Sequence, residues 1–284
     1  MVGSAAAEEA RGAVTELADL ARQLELSGYL LAAVLVLARV SPLIVLTPFL
    51  GGPTLSAAVR TVAAIAVAAA VFPTAFDGPI EGVDAGVFVV LMLKEFVVGT
   101  GLGLLASIAF HALSMAGQLV DQARGATMSQ LQNPQTGDES SPLASLHLQL
   151  GVVLFLLVGG HRAFLAAVAG SYEVIPLLEL PLSPSGLGAV ALLSAQLVGG
   201  AIAAALMLAA PAVTAIMMSD LALGLIGRTA PQLGTYFMAM PLRAALGLTM
   251  VLLSLSLIVD EVVPMLEYVV SLARHTMTLL HGAG

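Results

Sequence analysis

Leu187–Met218 reads LGAVALLSAQLVGGAIAAALMLAAPAVTAIMM, a run without one ionisable side chain. About 20 consecutive apolar residues suffice to cross the hydrocarbon core of a bilayer as a helix. Only a helix or a closed barrel satisfies its own backbone there. Further apolar blocks lie at Tyr29–Leu50, Thr61–Phe72, Val83–Phe110, Leu143–Gly159, Ala163–Leu178 and Phe237–Val259, followed by an amphipathic tail. This pattern predicts an all-α polytopic membrane protein. Composition agrees: the 284 residues are 59% hydrophobic and only 10% charged, outside the range of soluble domains.

Prolines punctuate the block ends at Pro53, Pro73, Pro142, Pro176, Pro181, Pro184 and Pro231. Pro42, Pro48, Pro211 and Pro241 fall inside blocks, where they are expected to break or kink a helix. Thr61–Phe72 is short for a span. The segments therefore read as broken helices and helical hairpins packed in a larger assembly. No internal repeat stands out.

The net charge of −8 and the lack of a basic stripe exclude nucleic acid as a partner. Absence of cysteine removes disulfides, thiolate metal sites and cysteine nucleophiles. The five histidines show no metal-ligand spacing, and no nucleophile motif is present, so neither an enzyme nor a cofactor is expected. With no tryptophan available, Tyr29, Tyr172, Tyr236 and Tyr268 are the candidates for the interfacial belt.

Residues 1–28 form an N-terminal amphipathic acidic segment, unlike a signal peptide. Val14, Leu17, Leu20, Ala21 and Leu24 recur at helical spacing, and Glu8, Glu9, Glu16, Asp19 and Glu25 disfavour anionic lipid. Residues 29–284 form the helical membrane domain. The acidic, Lys- and Arg-free loop between Pro73 and Gly86 is placed outside by the positive-inside rule, with Arg60 and Arg124 inside.

One polar island interrupts the apolar blocks, Gly117–Pro142 (GQLVDQARGATMSQLQNPQTGDESSP). Gln118, Asp121, Gln122 and Gly125 fall at i, i+3, i+4 and i+7, giving one polar face if helical, with Arg124 in reach of Asp121. Asn133–Asp138 is a turn by composition, and Ser140-Ser141-Pro142 reads as a cap opening the next helix. A solvated loop would share much of this, but Gly117, Gly125, Met115 and Met128 suit a compact element that packs closely.

Ionisable residues inside apolar blocks each cost on the order of 3 kcal/mol at mid-bilayer. Arg39, Lys94, Glu95, Asp220 and Arg243 qualify, and are expected in buried polar or inter-subunit contacts, with snorkelling the alternative for Arg39 and Arg243. Lys94 and Glu95 point about 100° apart on a helix, so they are not expected to pair with each other. Gly99 and Gly103 form a G-x-x-x-G close-packing face.

Read in order, Arg39-x-x-Pro42, Pro48-x-x-Gly51, Val59-Arg60, Lys94-Glu95, Gly99, Ala116-Gly117-Gln118, Asp121-x-x-x-Gly125, Asn133-Pro134-x-x-Gly137, Leu154-Phe155, Gly159-Gly160-His161, Ser171-Tyr172, Pro176, Leu221–Gly224, Pro231-Gln232-Leu233 and Met240-Pro241-Leu242 resemble the FliR/SctT (YscT/HrcT/SpaR) family of type III secretion export-gate proteins. The resemblance covers about residues 29–260. Asn133 stands where aspartate is common, and Gly234-Thr235 where an asparagine is frequent. The resemblance implies a single-copy subunit of the bacterial inner-membrane export gate, whose hairpins coil around a pore partly above the bilayer plane. Its implied partners are five copies of a P/R-type subunit, Q/S-type small subunits, a B/U-type switch protein, an A/V-type export gate protein and the unfolded substrates in transit. It also implies a pore plug within the 110–142 element, carried by Phe110, Met115, Gly117, Gln118, Asp121, Gln122 and Gly125, and a structural turn at Pro231-Gln232. Gly137–Pro142 and Ser171-Tyr172 lean toward the injectisome branch over the flagellar one. The rival reading is a secondary transporter with a midplane site around Glu95 and Asp220.

Overall fold

The computed structural model describes residues 26–51, 55–75, 83–125, 141–179, 184–230, 235–256, 259, 260 and 264. The N-terminal segment before Leu26, the turn at 133–138 and Pro231-Gln232 lie outside the described residues. Seven α-helices follow in order among the described residues, with no strand. They are α1 (Leu26–Leu46), α2 (Ala57–Ala75), α3 (Ala85–Ala123), α4 (Pro142–Leu157), α5 (Gly160–Val174), α6 (Pro184–Thr229) and α7 (Thr235–Leu253), with a 3-10 turn at Pro48–Leu50.

Four helices are long and apolar enough to cross a membrane, or five spans if the bent α4–α5 pair counts as one. One of the four is α2, so the expectation of a segment too short to span is corrected. Its ends are built from Ala57, Ala58, Thr74 and Ala75, good helix formers or tolerable ones that a search for strongly apolar residues passes over. Pro73 sits in its last turn rather than beyond it.

Of the four interior prolines only Pro48 interrupts its block, where α1 has ended at Leu46. Pro42, Pro211 and Pro241 all lie within continuous helix. At Pro42 the compensation is visible: a proline frees the carbonyl four residues earlier, and the Ser41 hydroxyl donates to that Ala38 oxygen at 3.4 Å. Pro48 opens the 3-10 turn, closed by Gly51 at φ 104°. Pro142 occupies the first turn of α4, where no amide partner is lost, and the Ser141 hydroxyl accepts from the Ala144 amide at 3.2 Å as the N-cap. Between α4 and α5 the chain turns by 75° through Gly159, at φ 79°.

The helices group into two compact units. The first comprises Met1–Gly103 and Val168–Leu182, the second Leu104–Ala167 and Ser183–Gly284. In the first, α1 packs along α2. The seam is helical in period: Ala32, Val36, Val40 and Ile44 face Ala64, Ala68, Val71 and Ala75. Small residues on α2 let the larger side chains of α1 fill the gap. In the second unit α6 packs along α7, and Val120, Leu143, Ala209, Ala212 and Val251 form a shared core. Phe110 meets Phe155 edge-on at 5.5 Å, and Gly151 leaves the room that Leu113 and Phe110 occupy.

Candidate functional site

Three polar constellations break the apolar pattern. The first lies wholly inside the first unit. Arg39 of α1 is fully buried and its guanidinium forks onto Glu95 of α3, Nε to Oε2 and Nη2 to Oε1 (3.0 Å). Two further protons go to the Ser171 hydroxyl at 2.9 Å and the Ile175 carbonyl at 2.8 Å, and its guanidinium carbon lies 3.9 Å over the Tyr172 ring. Lys94 donates to the carbonyls of Pro176, Leu177 and Glu179 at 2.7, 2.9 and 3.0 Å, capturing the chain just after α5.

Lys94 also meets Glu95 Oε1 at 2.7 Å, which corrects the expectation that the two do not pair. A 100° separation at the backbone does not keep apart two head groups on long stems. Arg39 does not snorkel, because its guanidinium finds carboxylate, hydroxyl, carbonyl and ring partners inside the chain. Tyr172 is likewise no interfacial residue: it is buried against Arg39. Gly99 faces the Arg39 backbone carbonyl and Pro42, and Gly103 faces Leu43 and Leu46, so α3 approaches α1 at backbone contact.

The second constellation is the end of α3, in the second unit. The first part of the 117–142 island continues the helix, and Gly125 ends it at φ 78°, donating its amide to the Gln122 carbonyl at 3.1 Å. The predicted polar face divides. Asp121 is fully buried, accepting from the Leu143 amide at 2.8 Å and from Arg124 Nε at 2.6 Å, so it caps the first turn of α4 from a neighbouring helix. Gly117 is pressed against the Leu143 and Ala144 backbone, with no space for a Cβ. Phe110 is core, and Met115 half-buried. Gln118 and Gln122 alone among the expected plug residues stay exposed.

Exposure along α3 changes character at one point. Before residue 105 its outward residues include Val87, Val90, Leu93, Phe96, Val97 and Leu104. From residue 105 to Ala123 the exposed positions are His111, Gln118 and Gln122. His111 escaped the sequence reading, although it lies seven residues before Gln118 on the same face.

The third constellation is Asp220 of α6, which accepts from Arg243 Nε of α7 at 2.6 Å. Their side chains are 35% and 31% exposed, so within the chain Asp220 forms a half-open pair with Arg243. Exposed Met217, Met218, Leu221 and Leu242 surround it in sequence.

Long apolar helices whose buried ionisable groups find polar partners inside the chain define a multi-pass, all-α membrane protein. The family described as "Bacterial export proteins, family 1" matches residues 30–268, and the chain belongs to that family. It is similar to the "Yop proteins translocation protein T" of Yersinia pestis, 31% identical over 76% of this chain and 83% of that protein. The "Surface presentation of antigens protein SpaR" of Salmonella typhimurium is 29% identical over 84% and 88%, and the "Flagellar biosynthetic protein FliR" of Caulobacter vibrioides 29% over 79% and 88%. The family consists of components of type III export apparatuses rather than enzymes, and the chain is such a component.

Proposed function

We propose that the chain is a core subunit of the inner-membrane export gate of a type III secretion system, forming and closing part of the pore that unfolded proteins traverse. The observation that carries this reading is the switch along α3 from apolar to polar outward residues after Leu104. One continuous helix thereby offers lipid-compatible surface in its first part and water- or protein-compatible surface in its last. Its implied neighbours are the P/R-, Q/S-, B/U- and A/V-type subunits. The half-open Asp220–Arg243 pair supports a subunit contact on α6–α7, because lipid would satisfy none of its remaining lone pairs and protons.

In this reading the residues around Phe110–Gly125 act in closure by two routes. Phe110, Gly117 and Asp121 fix the last part of α3 to α4 and Gly125 ends the helix, while Met115, Gln118 and Gln122 lie nearer the surface. We place the chain on the injectisome branch, supported by Gly137–Pro142 and Ser171-Tyr172. The relatives themselves span both branches at similar identity. The transporter alternative loses support at Glu95, whose two oxygens are occupied by Arg39 and Lys94.

Gly117→Leu tests the assignment. Forcing a side chain against the Leu143 backbone is expected to block export or make the membrane ion-leaky while the chain still reaches the membrane. Normal secretion and a tight membrane in that variant, at normal chain level, would refute a role in closure. Complementation of an injectisome-null strain but not of a non-motile flagellar strain would support the branch.

A further inference from the structure

We propose that His111, Ser114, Gln118 and Gln122 form a hydrogen-bonding track for the backbone of the polypeptide in transit, an inference that rests on the pore reading above. The four positions are separated by three, four and four residues, which sets them in one stripe along α3. His111, Gln118 and Gln122 are exposed and Ser114 is half-buried, with the Gln118 Nε2 donating to its hydroxyl at 3.5 Å. The opposite side of the same turns is packed: Ala109, Leu113, Ala116, Val120 and Asp121 are fully buried or nearly so. This helix end is therefore held on one side and open on the other.

The chemistry of the stripe selects its occupant. Amide and hydroxyl groups lose hydrogen bonds against acyl chains, so lipid is the wrong cover. Gln, Ser and His side chains each donate and accept, the combination that matches a peptide bond's own N–H and C=O. Gln118, Gln122 and Ser114 carry no charge, so they discriminate neither acidic nor basic side chains. A passage for many different sequences needs contacts to the part that all of them share. At 1.5 Å per helical residue the stripe is about 17 Å long, enough for about five residues of extended chain.

Because the chain lacks cysteine, single replacements are clean probes. His111→Cys, Gln118→Cys and Gln122→Cys, with Leu104→Cys as the apolar control on the same helix, are expressed in the assembled secretion system. An export substrate fused to a stably folded domain, so that it stalls in passage, carries one cysteine at successive positions. Oxidative cross-linking to this substrate is expected at 111, 118 and 122, several-fold above position 104 and whatever the substrate residues beside its cysteine. Cross-links from these three positions to another membrane subunit instead would overturn the proposal, since the stripe would then be an assembly surface. Cross-links to substrate from other positions of the chain but not from these three would also overturn it, leaving the pore reading in place. Substrate cross-links from no position, with export running, would remove the pore reading itself.

Discussion

Replacing Glu95 by methionine removes one carboxylate and leaves two buried cations facing an apolar side chain. Lys94 keeps its three carbonyl acceptors, so the loss falls mainly on Arg39, which keeps only Ser171, the Ile175 carbonyl and the Tyr172 ring. Removing one partner of a buried ion pair costs about 3–5 kcal/mol, because the other charge stays desolvated. At about 2–4 °C per kcal/mol for domains of 150–250 residues, the melting temperature is expected to fall by about 10 °C. The assay is thermal unfolding in mild detergent, followed by size-exclusion of a fluorescent fusion. The companion variant Arg39→Met/Glu95→Met removes the orphaned charge as well, and should recover a large part of the loss. A fall below about 2 °C for Glu95→Met, or a double variant equal to the sum of the singles, would refute the account, since it requires strong coupling between the two side chains.

Gly99→Ala drives a methyl into the Arg39 carbonyl and should destabilise by about 2 kcal/mol, whereas Gly101→Ala, with nothing within 4 Å, should be neutral or stabilise by up to about 1 kcal/mol in the same melting assay. Asp121→Ala strips the Leu143 amide and Arg124 of their shared acceptor, for an expected loss of about 2 kcal/mol, and chymotrypsin should then cut near Leu143 more readily. Asp220→Asn touches a half-exposed pair and should shift the melting temperature of the isolated chain by less than the equivalent of about 1 kcal/mol. Its larger effect is expected on the yield of co-purified gate subunits; an unchanged yield would count against the subunit contact.

Much of the fold was legible because lipid imposes one rule, the length of uninterrupted apolar helix. The rule failed where helices are held by something other than strong hydropathy. Ala57 and Ala75 extend α2 past what its apolar residues suggest, and Ser41 repairs the carbonyl that Pro42 frees. The polar sites were legible as residues and less so as geometry. Helical periodicity shows that Gln118, Asp121 and Gln122 lie near one another on a helix; it does not show that Asp121 turns inward to reach an amide 22 residues later. For the same reason nothing in the sequence tied Ser171 or the carbonyls after α5 to Arg39 and Lys94, which arrive from distant sequence.

The lengths of α3 and α6 bear on how the cell handles this chain. At 39 and 46 residues they run to about 58 and 69 Å, roughly twice the thickness of the hydrocarbon core. Only 33% of the most apolar window in each is covered by the chain itself. Along α6 the exposed apolar side chains run from Leu192 to Ile226, about 51 Å of helix, so a molecule made without its neighbours bears uncovered apolar length that the bilayer is too thin to absorb, the kind of surface that quality-control proteases clear. Its steady-state dosage is then set by the supply of neighbouring subunits rather than by its own synthesis, and surplus copies are short-lived.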